Sequence, residues 1–302
     1  MPYWIDLEGL ANLRDVGGMP TTDGGAIASG RLLRSDNLQT LTPRDIAELR
    51  GRRLTDVIDL RSDVEANSEG PGPITSEQGI TIHHHSLFRD VLDGAAEPER
   101  SAPGEGPEPV EVESNPAVAG GSERAVPTAE AYSAVAVESA RGAVSAAALP
   151  WVGLEPSAAH HIPDTSFYLS YLADRPDSVL SALRAIGDAQ GAALVHCAAG
   201  KDRTGTIVAL ALLVAGAEPD AVIADYAASS DRVEQIVRRL MASPTYADNL
   251  RDRPLDSHRT RPETMRAFID YANAEYGSAE QMLVDVGWTR ADSAKLRAKL
   301  RD

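Results

Sequence analysis

The chain of 302 residues contains one cysteine, Cys197. A single thiol cannot close an internal disulfide, so a disulfide scaffold is excluded and a reducing compartment is expected. Lysine is almost as scarce: Lys201, Lys295 and Lys299 are the only three. Basic charge is in deficit overall, with 29 Lys plus Arg against 45 Asp plus Glu and a net charge of −16. Nucleic acid and anionic membrane surfaces both require a basic footprint, which excludes them as main partners. No run approaches the ~20 apolar residues of a membrane span, so no integral membrane association is expected. Met1-Pro2-Tyr3-Trp4-Ile5-Asp6 has neither the basic nor the apolar region of a secretory signal, and the expected location is the cytoplasm. Aromatic residues make up only 5% of the chain, yet 43% is hydrophobic, so a core is affordable if Ala, Val, Leu and Ile build it.

The first ninety residues read as an α/β unit. Residues 12–18 and 22–25 are turn-rich, 31–35 is a short strand candidate, and Thr42-Pro43 opens a helix that runs to residue 50. Residues 54–60 form a strand apolar enough to be buried on both faces, and 80–85 looks like another. From about 91 to 157 Pro, Gly, Ala, Ser and Glu dominate, with eleven acids against three bases for a net −8. Such a composition buries little apolar surface, which points to disorder or a functional lid, with a weak helix within 129–148. Beyond it come helical patterns at 166–172 and 178–190, a buried strand at 192–196 and an almost wholly apolar helix at 203–215. Helical segments at 219–228, 231–241, 262–276 and 278–286 follow, then a last helix capped by Thr289. The expected fold class is α/β: a central, mostly parallel sheet flanked by helices, with a helical C-terminal half. One domain over 1–302 is expected, interrupted by the acidic insertion at about 91–157.

The distinctive chemistry lies in Val195-His196-Cys197-Ala198-Ala199-Gly200-Lys201-Asp202-Arg203-Thr204-Gly205. A buried strand runs into a loop of small residues and then into a helix. Such a loop turns backbone N–H groups inward, and the helix N-terminus adds its positive end, which makes a cradle for a tetrahedral oxyanion. Cys197 sits at the base of that cradle and Arg203 closes it, offering a bidentate guanidinium fork to two oxygens of a phosphate. The same positive field favours thiolate over thiol and makes Cys197 a nucleophile. Gly200 and Gly205 suit a tight turn and close packing, for function or for structure alone.

This Cys-x5-Arg stretch resembles the signature of the protein tyrosine phosphatases. Its fuller form, His-Cys-x-x-Gly-Lys-Asp-Arg-Thr-Gly, is similar to an atypical bacterial branch with tyrosine and phosphoinositide substrates. Asn12-Leu13-Arg14-Asp15 with Gly17-Gly18, Gly30-Arg31-Leu32-Leu33-Arg34-Ser35, Val57-Ile58-Asp59-Leu60-Arg61 and the tail around Tyr276-Gly277 and Val286-Gly287-Trp288 resemble that branch too. Only about residues 90–160 lie outside the resemblance. It implies a tyrosine-phosphatase-like fold and a metal-free, cofactor-free hydrolysis of a phosphorylated protein or phosphoinositide. Cys197 would attack phosphorus, while Arg203 and the amides of Ala198, Ala199, Gly200 and their neighbours hold the equatorial oxygens. Thr204 would donate a hydrogen bond to the Cys197 sulfur, His196 would orient the loop, and Lys201 would add charge for a second phosphate or simply lie on the surface. The branch assigns the general acid to the loop aspartate, here Asp202. Common tyrosine phosphatases use an Asp on a separate loop, and Pro163-Asp164, 33 residues before Cys197, offers that alternative or a helix cap.

Weaker signals stay open. Asp90 reads as a substrate contact or a turn residue, and Arg61 as a cleft residue or a partner of Asp63 or Glu65. In His83-His84-His85 strand alternation brings only His83 and His85 together, so a metal site is not expected there or at His160-His161. Tyr168 and Tyr171, at helical i, i+3 spacing, read mainly as packing, with one ring walling the pocket as the alternative. Competing functions are a sulfurtransferase, an arsenate reductase that would need an external resolving thiol, and a module that recognises phosphate without hydrolysing it.

Overall fold

A strand that is apolar on both faces must lie inside a sheet covered on both sides, and two strands of this chain meet that condition. The computed structural model describes residues 3–89 and 166–301. In it β1 (Tyr3–Trp4), β2 (Arg14–Asp15), β3 (Leu32–Ser35), β4 (Leu54–Asp59), β5 (Thr81–His84) and β6 (Ala192–His196) form one sheet in the order β1-β2-β3-β6-β4-β5. The pairs β3/β6, β6/β4 and β4/β5 are parallel, while β1/β2 and β2/β3 are antiparallel. The expected mostly parallel sheet is present, and the turn-rich segment at 12–18 additionally carries the short strand β2. The central strand β6 divides the interior. Ala193 and Val195 point into the larger core and Ala192 and Leu194 into a smaller one, as period-two alternation requires.

The helices are α1 (Pro43–Gly51), α2 (Asp63–Glu69), α3 (Ser166–Asp174), α4 (Pro176–Asp188), α5 (Asp202–Val214), α6 (Pro219–Ala228), α7 (Val233–Met241), α8 (Pro244–Leu250), α9 (Pro262–Tyr276), α10 (Ala279–Val284) and α11 (Arg290–Leu300). Thr42 and Thr289 cap α1 and α11 in reciprocal capping boxes with Asp45 and Asp292. The expected helix at 231–241 is split, a 3₁₀ turn at Ser229–Arg232 leading into α7. Two short helices were not expected. α2 begins at the capping box of Ser62 and Glu65, and α8 follows Ser243-Pro244. Apolar side chains ring α5 all round because it runs through the larger core, with sheet and helices packed around it. Lys299, near the end of α11, is buried with its ammonium on the carbonyls of Ala189 and Gly191. None of the helices of the described residues is long and apolar enough to cross a membrane. The insertion at 91–157 with its weak helix, and Asp90, His160, His161 and Asp164, lie outside the described residues.

Candidate active site

β6 ends at His196 and α5 begins at Asp202, so the five residues Cys197 to Lys201 must reverse the chain between two buried elements. Gly200 makes this possible. Its φ is +68°, and a Cβ there would lie 2.3 Å from the Ser35 carbonyl oxygen, so both conformation and contact demand glycine. Gly205 is required for a different reason: a Cβ would meet the Tyr226 ring at 2.8 Å. The two glycines thus take the two roles expected of them, turn and close packing.

The outward side of the loop is saturated. The Ala198 carbonyl accepts from Asn37 N at 3.0 Å, and Asn12 Nδ2 donates to the carbonyls of Ala199 at 2.9 Å and Gly200 at 3.0 Å. Arg34 Nη2 donates to Gly200 O at 2.8 Å and Lys201 O at 3.3 Å. Among the described residues no backbone or side-chain group accepts from the amides of Ala198, Ala199, Gly200 or Lys201. With the carbonyls held from behind, those donors and the first amides of α5 remain for an anion in front. Cys197, 2% exposed, lies on the wall of a cleft of about 480 Å³ that the loop shares with Phe88, Tyr168, Tyr171 and Tyr246.

Arg203 is held firmly at this cleft. Its Nη1 and Nη2 meet Glu65 Oε2 at 2.5 Å and Oε1 at 3.0 Å, Nη1 reaches Leu60 O at 3.2 Å, and the guanidinium stands 5.1 Å from the Phe88 ring centroid. Burial disfavours its charge, but Glu65 outweighs burial and keeps the guanidinium protonated well beyond its usual range. Glu65 accepts from Tyr246 Oη at 3.2 Å and from Ser62 N at 2.8 Å. One carboxylate therefore caps α2, fixes Arg203 and ties down α8. The sequence offered Glu65 only as an alternative partner of Arg61, although the Ser-x-x-Glu capping signal marked it as a cap as well.

Asp202 accepts a 2.7 Å hydrogen bond from Tyr168 Oη, which lies 2.7 Å from Tyr226 Oη. Burial, then the charge of Asp202, pushes the Tyr168 phenol well above its ordinary pKa, so it stays a donor. Tyr168 and Tyr171, read mainly as packing, both line the cleft, and Tyr168 touches a site residue directly. Lys201 is not a surface lysine. It is 8% exposed, lines the cleft and donates through Nζ to the His258 carbonyl. The hydrogen bond expected from Thr204 to the Cys197 sulfur is not made. Thr204 is fully buried and its hydroxyl has no partner among the described residues.

His196 lies behind the nucleophile, Nδ1 3.3 Å from Cys197 O and Nε2 3.7 Å from Asp59 Oδ1. Burial lowers it to about 4 against the pull of Asp59, so it stands neutral at pH 7 and adds no charge to the site. Arg61 pairs with Asp59, Nη2 to Oδ2 at 2.6 Å, and not with Asp63 or Glu65, because the turn after β4 folds its side chain back on that strand's last carboxylate. His83 and His84 each take a separate carboxylate, Asp56 at 2.8 Å and Asp63 at 2.7 Å. Among the described residues no group of three or more His, Cys, Asp or Glu side chains is placed to hold a metal ion.

The sequence pattern described as the tyrosine phosphatase family matches residues 5–302. The triple specificity protein phosphatase PtpB of Mycobacterium tuberculosis is 29% identical over 308 residues spanning 98% of each chain. A tyrosine-protein phosphatase of Nostoc commune is 31% identical over 122 residues, covering 36% of this chain and 39% of its own. A strand, a short loop and a helix in this order, set in a match that runs nearly end to end, make the chain a member of the tyrosine phosphatase family and a phosphoric monoester hydrolase.

Proposed function

We propose that the protein is a cysteine-dependent phosphatase of phosphotyrosine, with phosphoserine/threonine and phosphoinositides as further substrates. The observation that carries this reading is the two-sided loop: carbonyls bonded outward, amides without acceptors among the described residues, and Cys197 at its start. In the first step the Cys197 thiolate attacks phosphorus and the bond to the leaving oxygen breaks, giving a thiophosphoryl-cysteine. Asp202 delivers the proton that the leaving oxygen needs. In the second step water attacks phosphorus, Asp202 takes its proton, and the thiolate departs with inorganic phosphate released. The loop amides and Arg203 bind the trigonal-bipyramidal arrangement of oxygens better than the tetrahedral one, which is how they accelerate both steps. Lys201 adds positive charge beside the pocket.

The aromatic wall of Phe88, Tyr168, Tyr171 and Tyr246 suits an aryl phosphate. The name of the mycobacterial relative supports a wider range than phosphotyrosine alone. The same reading takes residues 1–302 as one phosphatase domain interrupted at about 91–157. The test is turnover of p-nitrophenyl phosphate, which Cys197→Ser abolishes, together with intact-mass trapping of a phosphorylated cysteine. Retained turnover in that variant would refute the mechanism. A panel of phosphotyrosine peptides, phosphoserine peptides and phosphoinositides then ranks the substrate classes, and Asp202→Asn compared with Asp164→Asn in burst kinetics assigns the acid.

A further inference from the structure

Behind the loop, away from the cleft, five polar side chains are packed into the interior: Asn12, Arg14, Arg34, Asp225 and Ser229, all buried. Asp225 is shared. Its Oδ1 takes Arg14 Nε and its Oδ2 takes Arg34 Nη1, each at 2.7 Å. One carboxylate serving two guanidiniums leaves donors over: Arg34 Nε has no partner among the described residues, and other nitrogens reach further oxygens. Arg34 Nη2 reaches the Gly200 and Lys201 carbonyls, while Arg14 Nη1 holds Asn12 Oδ1 at 2.6 Å. That bond assigns the Asn12 amide, since its oxygen faces Arg14 and its nitrogen must then face the loop, where it bonds Ala199 O and Gly200 O. Ser229 Oγ closes the ring by accepting from Arg14 Nη2 at 3.0 Å and Asn12 Nδ2 at 3.3 Å.

The energetics are specific. Burial and the neighbouring Arg34 charge pull Arg14 down to about 10, so two like charges are being held together in the interior. Asp225 is kept ionised against its own burial by the two guanidiniums. A cluster of this kind costs desolvation, and a hydrophobic filling of the same space would be at least as stable. What it does that an apolar filling could not is grip three consecutive carbonyls, Ala199, Gly200 and Lys201, from outside.

We propose that Asn12 and Arg34, organised by Arg14, Asp225 and Ser229, are positioning residues for the phosphate-binding loop: they hold its carbonyls outward, and so set the aim of its amides. This rests on the proposed cysteine mechanism. A peptide plane cannot turn its N–H toward a ligand without turning its C=O away, so fixing the oxygen fixes the donor. A positively charged donor on that oxygen also polarises the unit and strengthens the N–H on its far side. The gain falls on the transition state, where the equatorial oxygens demand the tightest geometry.

The experiment uses the full chain with Asn12→Ala and Arg34→Lys, the latter keeping the charge but losing the forked reach to both Asp225 and the loop. The readouts are kcat and KM for p-nitrophenyl phosphate per active site counted by burst titration, and the inhibition constant of orthovanadate. Loss of positioning lowers kcat and weakens vanadate in parallel, about 10- to 100-fold, with KM within about threefold of the unsubstituted protein. A purely structural role lowers the melting temperature and the fraction of active sites but leaves per-site kcat and vanadate inhibition unchanged, which overturns the proposal. Ser229→Ala, the mildest member of the series, decides by the same readouts if the other two are not recovered folded, with a smaller parallel loss expected and none overturning it. The unsubstituted protein and Cys197→Ser separate the two ideas. Absence of turnover and vanadate inhibition in the unsubstituted chain refutes the cysteine mechanism, while normal values there with unaffected variants refute only the positioning role.

Discussion

The phosphate loop is flanked by two arginine clusters of the same chemistry and different stoichiometry. On the cleft side one guanidinium, Arg203, meets one carboxylate, Glu65, in a forked pair. On the buried side Arg14 and Arg34 share Asp225. In the first, each partner largely satisfies the other, and the result is a fixed cation at the mouth of the site. In the second, the carboxylate is outnumbered and the unused donors organise backbone. The ratio of acid to guanidinium thus distinguishes the pair that faces the cleft from the cluster that bonds the loop carbonyls.

Removing the acid on each side is the strongest way to break this comparison. Asp225→Asn leaves two buried guanidiniums beside each other with a neutral partner, and a loss of about 3–5 kcal/mol in urea unfolding is expected. Glu65→Gln strands one guanidinium that still has the Leu60 carbonyl and the open cleft, so its stability loss should be smaller and its loss of turnover larger than its stability loss implies. Equal stability losses from both variants would show that stoichiometry does not matter.

A smaller effect is expected at Asp202, the proposed acid. Tyr168→Phe removes the hydroxyl that Asp202 accepts and leaves the Tyr226 hydroxyl without its 2.7 Å partner. Turnover of substrates with poor leaving groups should fall by about tenfold, while p-nitrophenyl phosphate, whose leaving group needs little protonation, changes much less. Equal effects on both substrates would remove Tyr168 from the protonation step.

Asp59 offers the comparison in its mildest form, because it has a histidine on either side with opposite titration. Burial alone would lower His84, but hydrogen bonds and charge from Asp59 and Asp63 outweigh it and raise the ring to about 9 from 6.5. Its folded-state value lies above the unfolded one, so its contribution is complete below about pH 6.5 and is lost as pH rises toward 9. His196, lowered to about 4, does the reverse: its contribution is present above 6.5 and is lost as pH falls toward 4. Urea midpoints measured between pH 6.5 and 9 should therefore fall for the unsubstituted protein and flatten for His84→Gln. Identical slopes would show that His84 is not held charged.

How much of this was legible in the sequence depended on how far apart the partners stand in the chain. Cys197 to Gly205 carry their chemistry within nine consecutive residues, so strand, turn and helix could be read directly, and α6 and α9 match their expected bounds. Thr289 announced its helix through a local cap. Glu65, by contrast, meets Arg203 across 138 positions, and Asp225 meets Arg14 across 211. No spacing rule connects such pairs. Asn12, Arg14 and Arg34 stood inside recognised patterns, yet nothing in one dimension showed that they converge behind the loop. The strands β1 and β2 have two residues each, too few for any periodicity to appear. Tyr168 was left between packing and a wall of the pocket because i, i+3 spacing reports a helix face and not what that face meets.

The two buried lysines have a practical consequence. Lys201 and Lys299 keep their ammonium groups on backbone carbonyls inside the protein, which leaves Lys295, 59% exposed on α11, as the one side-chain amine an acylating reagent can readily reach. Molecules coupled through that side chain, with the reagent kept off the α-amine, are tethered on α11 and present the cleft in one orientation.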